Sequence, residues 1–258
     1  MRPPIDLART RLIDLAQEYR PGMPHWPTHP PFAFTLTKRH GEQITGEGVS
    51  SAADLVAMGT HNGTHIDALC HFSRHGLLCG GLEAAPRQSY TGGLEAHGAE
   101  TIAPILRRGV LADFAAAGPL PPQYEITAAE LEAAAADAQP GDVVLIRTGW
   151  ASYWPDPVRY LNGQCHPGPG LAAARWLSAR GVFAAGSDTV AFERIPSPGM
   201  PVHAHLLVEK GIHIIENLNL EELARSGARD FVFAGAPLKI RGATGAPLRA
   251  FALVEAEQ

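Results

Sequence analysis

Four side chains in one short stretch have the types and spacing to act together. His61, His65, Asp67 and His71 all fall in the run His61-Asn-Gly-Thr-His65-Ile-Asp67-Ala-Leu-Cys-His71. Neutral imidazole nitrogen and carboxylate oxygen are ligands for zinc or a similar divalent ion. All four positions are odd, so a flat strand would point them to one face. A flat strand would also hold His61 and His65 about 13 Å apart, at ~3.3 Å of rise per residue. Ligands of one ion reach it at ~2.0–2.2 Å, so the backbone has to bend between them. Gly63 permits the bend because it has no Cβ to clash. His65 and Asp67 then stay adjacent, and Asp67 and His71 meet across one helical turn. The stretch reads as a metal cradle. It is not the helical protease pattern, which needs Glu where Asn62 stands. Cys70 has the opposite parity, which suits packing behind the site.

A second group lies far along the chain. Glu216 ends the apolar run Gly211–Ile215, so its carboxylate leaves the core directly and needs compensation. A metal ion would supply it. His203 and His205 precede it, and His213 reads as structural.

The pattern His-x-Gly-Thr-His-x-Asp-x3-His closely resembles the signature of the cyclase family of metal-dependent hydrolases. The resemblance runs from about Leu12 to Val254. It implies an α/β fold of the swivelling β/β/α type, with a mixed β-sheet curled into a barrel-like core and helices outside. It also implies one or two ions, Zn2+ or Mn2+. His61, His65 and Asp67 would hold the first; His71, His203 and Glu216 would hold a second, with Asp67 bridging. His203 is preferred over His205 because Pro201-Val202 matches the family's lead-in. Where His71 is free of metal, it would be the proton shuttle. The activity implied is formamidase-like hydrolysis of a small amide, formamide or cyclic amide, at C–N bonds other than peptide bonds. Two other readings are a metal-dependent dehydratase or ring-closing enzyme on a hydroxy or keto acid, and a non-catalytic metal-binding protein. Many members have proline two residues after the motif aspartate, where this chain has Leu69; that alters loop stiffness and leaves the ligand set alone.

The elements that must position these groups are legible in part. Strands are expected over Phe32–Thr37 (half-buried), Val110–Phe114, Val143–Ile146, Val182–Ala185, Phe231–Ala234 and Leu248–Val254. Pro237–Pro247 is expected as a loop. Thr127-Ala-Ala-Glu130 predicts a capping box opening a helix to about Ala138. Leu171–Arg180 predicts an amphipathic helix stopped by Gly181, and a further helix falls near Leu220–Arg225. Alternating strands and helices favour α/β architecture. Leu12–Tyr19 is ambiguous between strand and helix. The proline-rich arm at about 20–31 carries His25, Trp26 and His29; it is either a stiff wall or lid over the site or a plain surface connection. Asp188, at a strand end, either orients a ligand histidine or caps a turn. Trp26, Phe72, Trp150 and Trp154 are candidates for an aromatic wall. His97 and His40 read as loop histidines.

Composition bounds the rest. The 258 residues carry 45% hydrophobic and 18% charged side chains, as a globular enzyme does. They are expected to form a single domain, 1–258. A net charge of −5 gives no reason to expect nucleic acid or an anionic membrane. Three cysteines argue against a disulfide framework. The expectation is a cytoplasmic homodimer or higher homo-oligomer that acts on a small molecule.

Overall fold

The computed structural model describes residues 7–256. Its centre is a mixed sheet that closes on itself. In order around the barrel run Gly245–Glu255, Asp230–Pro237, Ile105–Asp113, Val143–Arg147, Ala184–Ser187, His213–Glu216 and His65–Asp67, which pairs back to Gly245–Glu255. Thr10–Asp14 adds to the outside edge of Gly245–Glu255, so the start of the ambiguous N-terminal segment is a strand.

The middle four strands, from Ile105–Asp113 to His213–Glu216, are parallel, and each has an apolar stretch: Val110–Ala112, Val143–Ile146, Ala184–Ala185 and Ile214–Ile215. Such runs arise where both faces of a sheet are covered. Alternate residues go opposite ways here. Leu111, Val143, Leu145, Ala184 and Ile215 join a core with Phe231, Phe233 and Ala252. Val110, Val144, Ile146, Ala185 and Ile214 instead meet Leu131, Ala173, Ala174 and Leu177 of the outer helices. Those helices are Ala128–Ala134 and Leu171–Arg180. The first opens on the expected capping box but ends four residues before Ala138. The second has the expected bounds, with Gly181 left-handed at φ 69°.

Three expectations are corrected. The Ala33–Lys38 strand is exposed along nearly its whole length, because among the described residues it pairs only with Ala53–Ala57, in a two-stranded ribbon outside the barrel. Gly245–Pro247 is not loop: these residues pair with His65–Asp67 and close the barrel. Asp67 and His71 are joined by a hydrogen-bonded turn, His71 N to Ala68 O at 2.9 Å, rather than a helical turn. No helix among the described residues is long and apolar enough to cross a membrane.

Candidate metal centre

Barrel closure is what assembles the site. His65–Asp67 lies antiparallel to His213–Glu216, with His65 directly opposite Glu216. Directly opposed side chains on one face sit ~4.5–5.5 Å apart, so two residues remote in sequence become neighbours. On its other side the same strand pairs Asp67 with Gly245. A Cβ at Gly245 would come within 2.6 Å of the His61 ring, so this glycine makes room for that ring.

Gly63 does what the spacing requires, at φ 59°. It also lies under Tyr19, whose Cε1 would be 1.8 Å from an added Cβ. The Tyr19 hydroxyl donates to Thr64 O at 2.6 Å, pinning the bend from above. Asn217, just after Glu216, donates from Nδ2 to Gly63 O at 3.1 Å.

Around Asp67 the donors converge. His61 Nδ1 is 2.8 Å from Asp67 Oδ1, and its Nε2 meets Thr244 Oγ1 at 2.8 Å. His65 donates from Nδ1 to Gly63 O at 2.8 Å, which leaves Nε2 as the atom turned to the carboxylates. That Nε2 lies 3.5 Å from Asp67 Oδ1 and 3.4 Å from Glu216 Oε2. His203 repeats the arrangement: Nδ1 donates to Glu193 Oε1 at 2.8 Å, and Nε2 faces Glu216 Oε1 at 3.1 Å and Asp67 Oδ2 at 3.8 Å. Two sets of three donors result, each with ligand atoms within 4.8 Å of one another: His61, His65 and Asp67, then Asp67, His203 and Glu216. Asp67 belongs to both.

The charge balance is the test of fit. Asp67 and Glu216 are 1% and 5% exposed, and no lysine or arginine pairs with either among the described residues. Two buried carboxylates cannot remain uncompensated. Without an ion, protons on the histidines must serve. Burial pushes His65 down, but the Asp67 and Glu216 carboxylates close to its Nε2 outweigh it and raise the group to about 10. His203 rises to about 10 against its own burial, through Glu193, Glu216 and Asp67. Burial raises Glu216 but its histidine partners prevail, holding it at about 2. Even so, His65 Nε2 and Asp67 Oδ2 are sealed from solvent with no hydrogen-bond partner. A divalent cation would satisfy both, and the mixed nitrogen and oxygen donors suit one.

The remaining candidates separate clearly. His71 belongs to neither donor set; its ring stacks on His61 with centroids 3.9 Å apart. Burial drives it down to about 3, with His61 and His203 adding to the effect, so it is a neutral imidazole. His205 turns away, with Nε2 on Ser178 Oγ and Nδ1 on Glu209 Oε2. His213 donates to Asp67 O at 2.9 Å and is structural. Asp188 plays neither expected role: Oδ1 accepts from Thr148 N and Oγ1, tying two strand ends together. Trp150 and Trp154 are buried in a cluster with Met23 and Tyr160. Of the four aromatics, only Trp26 and Phe72 line the cavity above the donors, about 170 Å³ in volume. The proline-rich arm thus supplies a wall.

Two residues were missed from the sequence. Glu193 accepts from both Nδ1 and the backbone N–H of His203 and from the Ser197 hydroxyl, so it fixes the tautomer and orientation of that ring. Thr244 holds His61 from the far side. Glu193 carried one readable signal, a carboxylate directly after the apolar Val190-Ala-Phe192; Thr244, in a polar loop, carried none.

Known proteins resemble this chain along most of its length. A family model described as "Putative cyclase" matches residues 13–194. Isatin hydrolase of Roseibium aggregatum is 27% identical over 257 residues, covering 94% of this chain and 91% of that protein. Kynurenine formamidase of Bacillus thuringiensis is 26% identical over 241 residues, covering 92% and 95%. Among solved structures, a protein described as a novel cyclase superposes with a TM-score of 0.86 at 32% identity, covering 94% and 86%. Isatin hydrolase A from Ralstonia solanacearum gives 0.74 at 25% identity, covering 95% and 92%.

Proposed function

The chain belongs to the cyclase family, and from that premise we propose that it is a metal-dependent hydrolase cleaving a small amide, formamide or cyclic amide. One observation carries the reading: the His65 Nε2 and Asp67 Oδ2 atoms, buried and unpartnered, face His203 and Glu216 at the floor of a cavity. The activities that name the two relatives, on isatin and on a kynurenine formamide, support the same bond type.

In this reading His61, His65 and Asp67 hold one ion, zinc or manganese, and Asp67, His203 and Glu216 offer a place for a second. The ion supplies Lewis acidity, acidifying water from 15.7 towards ~7 and polarising a carbonyl. The chain's own residues do the rest. Glu216 is held by Phe192 N at 2.7 Å, so its carboxylate is already oriented at the floor. Glu193 keeps the His203 Nε2 lone pair turned inward. His71, neutral and outside both donor sets, is the group placed to take a proton from the attacking water and then return it to the departing nitrogen. Trp26, Phe72, Val190, Ala191 and Met200 make the rest of the wall apolar, which excludes bulk water and favours an aryl or alkyl substituent.

Assembly as a homodimer is part of the proposal. It is supported by the ribbon that follows the proline-rich arm, whose Phe34, Leu36, Leu55 and Val56 are all about half exposed. Light scattering at micromolar concentration tests it, and a monomer would count against it.

Turnover is tested with protein loaded with zinc or manganese against formanilides, cyclic amides and lactones. One acid equivalent per turnover, lost on chelation and restored by metal, is expected. Product without acid release would favour a dehydratase or ring-closing enzyme instead.

A further inference from the structure

A second cavity, about 400 Å³ in volume, adjoins the metal centre. Its lining shares only Phe72 with the cavity above the donors. The Phe72 ring neighbours those of His71 and His203, with centroids 4.9 and 5.0 Å away, so one side chain walls both spaces. None of the residues in the two donor sets lines the second cavity, which therefore has polar chemistry of its own.

Those polar groups divide into a tied set and a free one. Arg74 donates to Glu209 Oε1, and Glu209 Oε2 lies 2.8 Å from His205 Nδ1. His205 Nε2 is in turn 2.9 Å from Ser178 Oγ. Arg74, Glu209 and His205 are thus engaged with one another. Arg175 reaches the same cavity from the helix Leu171–Arg180. Its carbonyl accepts from Ser178 Oγ, but its guanidinium has no acceptor among the described residues.

His75 completes the set from the two-residue turn His75-Gly76. Arg74 N to Leu77 O at 2.9 Å and Leu77 N to Arg74 O at 3.0 Å close that turn. His75 holds φ 52° there, a left-handed backbone that such turns normally give to Asn, Asp or Gly. A ring kept at a strained position and lining a cavity points to use by a ligand. The charges indicate which kind. Arg74 and Arg175 against Glu209 leave one positive charge in the lining, and Phe72, Leu171 and Pro201 make much of the remaining wall apolar. A guanidinium fork matches a carboxylate through two parallel hydrogen bonds.

We propose that this cavity binds a small organic carboxylate: its charged end pairs with Arg175, with His75 as a second polar contact, and its apolar body packs against Phe72, Leu171 and Pro201. The site does not rest on the hydrolase reading, since it uses none of the donors around Asp67.

Isothermal titration calorimetry of the metal-loaded protein tests this with cyclohexanecarboxylate and with cyclohexylmethanol, which keeps the ring and lacks the charge. The wild type is expected to bind the carboxylate about tenfold tighter than the alcohol. Acetate, a carboxylate without the ring, should bind more weakly by a similar factor. Arg175→Gln should bring cyclohexanecarboxylate and the alcohol within about twofold, with metal content and melting temperature unchanged. Lys239→Gln removes the same charge at an exposed position outside the lining and should keep the full preference. No preference in the wild type, acetate bound as tightly as the ring compound, or an equal loss in Lys239→Gln overturns the proposal. So does an undiminished preference in Arg175→Gln, the result expected if the carboxylate binds the metal ion instead.

Discussion

Glu193→Gln probes how much of the site depends on a residue that touches no proposed ion. Glu193 is 1% exposed and takes two hydrogen bonds from His203, at 2.8 Å from Nδ1 and 3.0 Å from the backbone N–H. Glutamine conserves volume and can still accept through its carbonyl oxygen, but the charge is gone. Hydrogen bonds to charged groups contribute ~1.5–3 kcal/mol against ~0.5–1.5 for neutral ones. The lost difference, roughly 1–2 kcal/mol, is about five- to thirtyfold in an equilibrium at 1.4 kcal/mol per tenfold. If His203 Nε2 is a ligand, that factor should appear in metal affinity, measured by competition against a chromophoric chelator. Circular dichroism melts would show that the variant is folded. A folded Glu193→Gln protein whose metal affinity stays within twofold of wild type would refute the reasoning, because His203 would then be outside the ligand set or oriented by something else.

Two further outcomes follow from the frame around the site. Burial raises the Asp188 carboxyl to about 6, against the hydrogen bonds from Thr148. The folded state therefore favours its protonated form, and this stability is present below the unfolded value near 4 and lost as pH rises through about 6. Asp188→Asn should gain on wild type by up to about 3 kcal/mol between pH 4 and pH 8 in denaturant titrations; an equal difference at both pH values would contradict it. Gly63→Ala combines a left-handed backbone, roughly 1–2 kcal/mol, with overlap on Tyr19, so a melting temperature lowered by several degrees and loss of bound metal are expected; a wild-type melt would show that the bend tolerates a side chain.

The local part of the site was legible because its information is local. Three ligands around a hinge glycine specify a bent cradle, and Gly63 bends as the spacing demands. Capping chemistry likewise read out the start of the Ala128–Ala134 helix, and the left-handed stop at Gly181 read out the end of the next. The non-local part was not legible from periodicity. Nothing in Gly245-Ala-Pro247 marks it as a strand, since its pairing is decided by the barrel closing over His65–Asp67. Phe34 and Leu36 alternate as core residues do, yet they stay outside the barrel. Choosing His203 over His205 depended on family resemblance. The structure separates them physically, by sending His205 to Ser178 and Glu209.

The central claim, that buried Asp67 and Glu216 are compensated by a divalent ion held through His61, His65 and His203, is tested most directly by metal content. Wild type and His65→Ala would be purified without chelator, dialysed against zinc or manganese and then metal-free buffer, and measured by inductively coupled plasma mass spectrometry. The account predicts one or two ions retained per wild-type chain and loss of at least one in a folded His65→Ala protein. A wild type that retains none, or a His65→Ala protein at full wild-type occupancy, would contradict it.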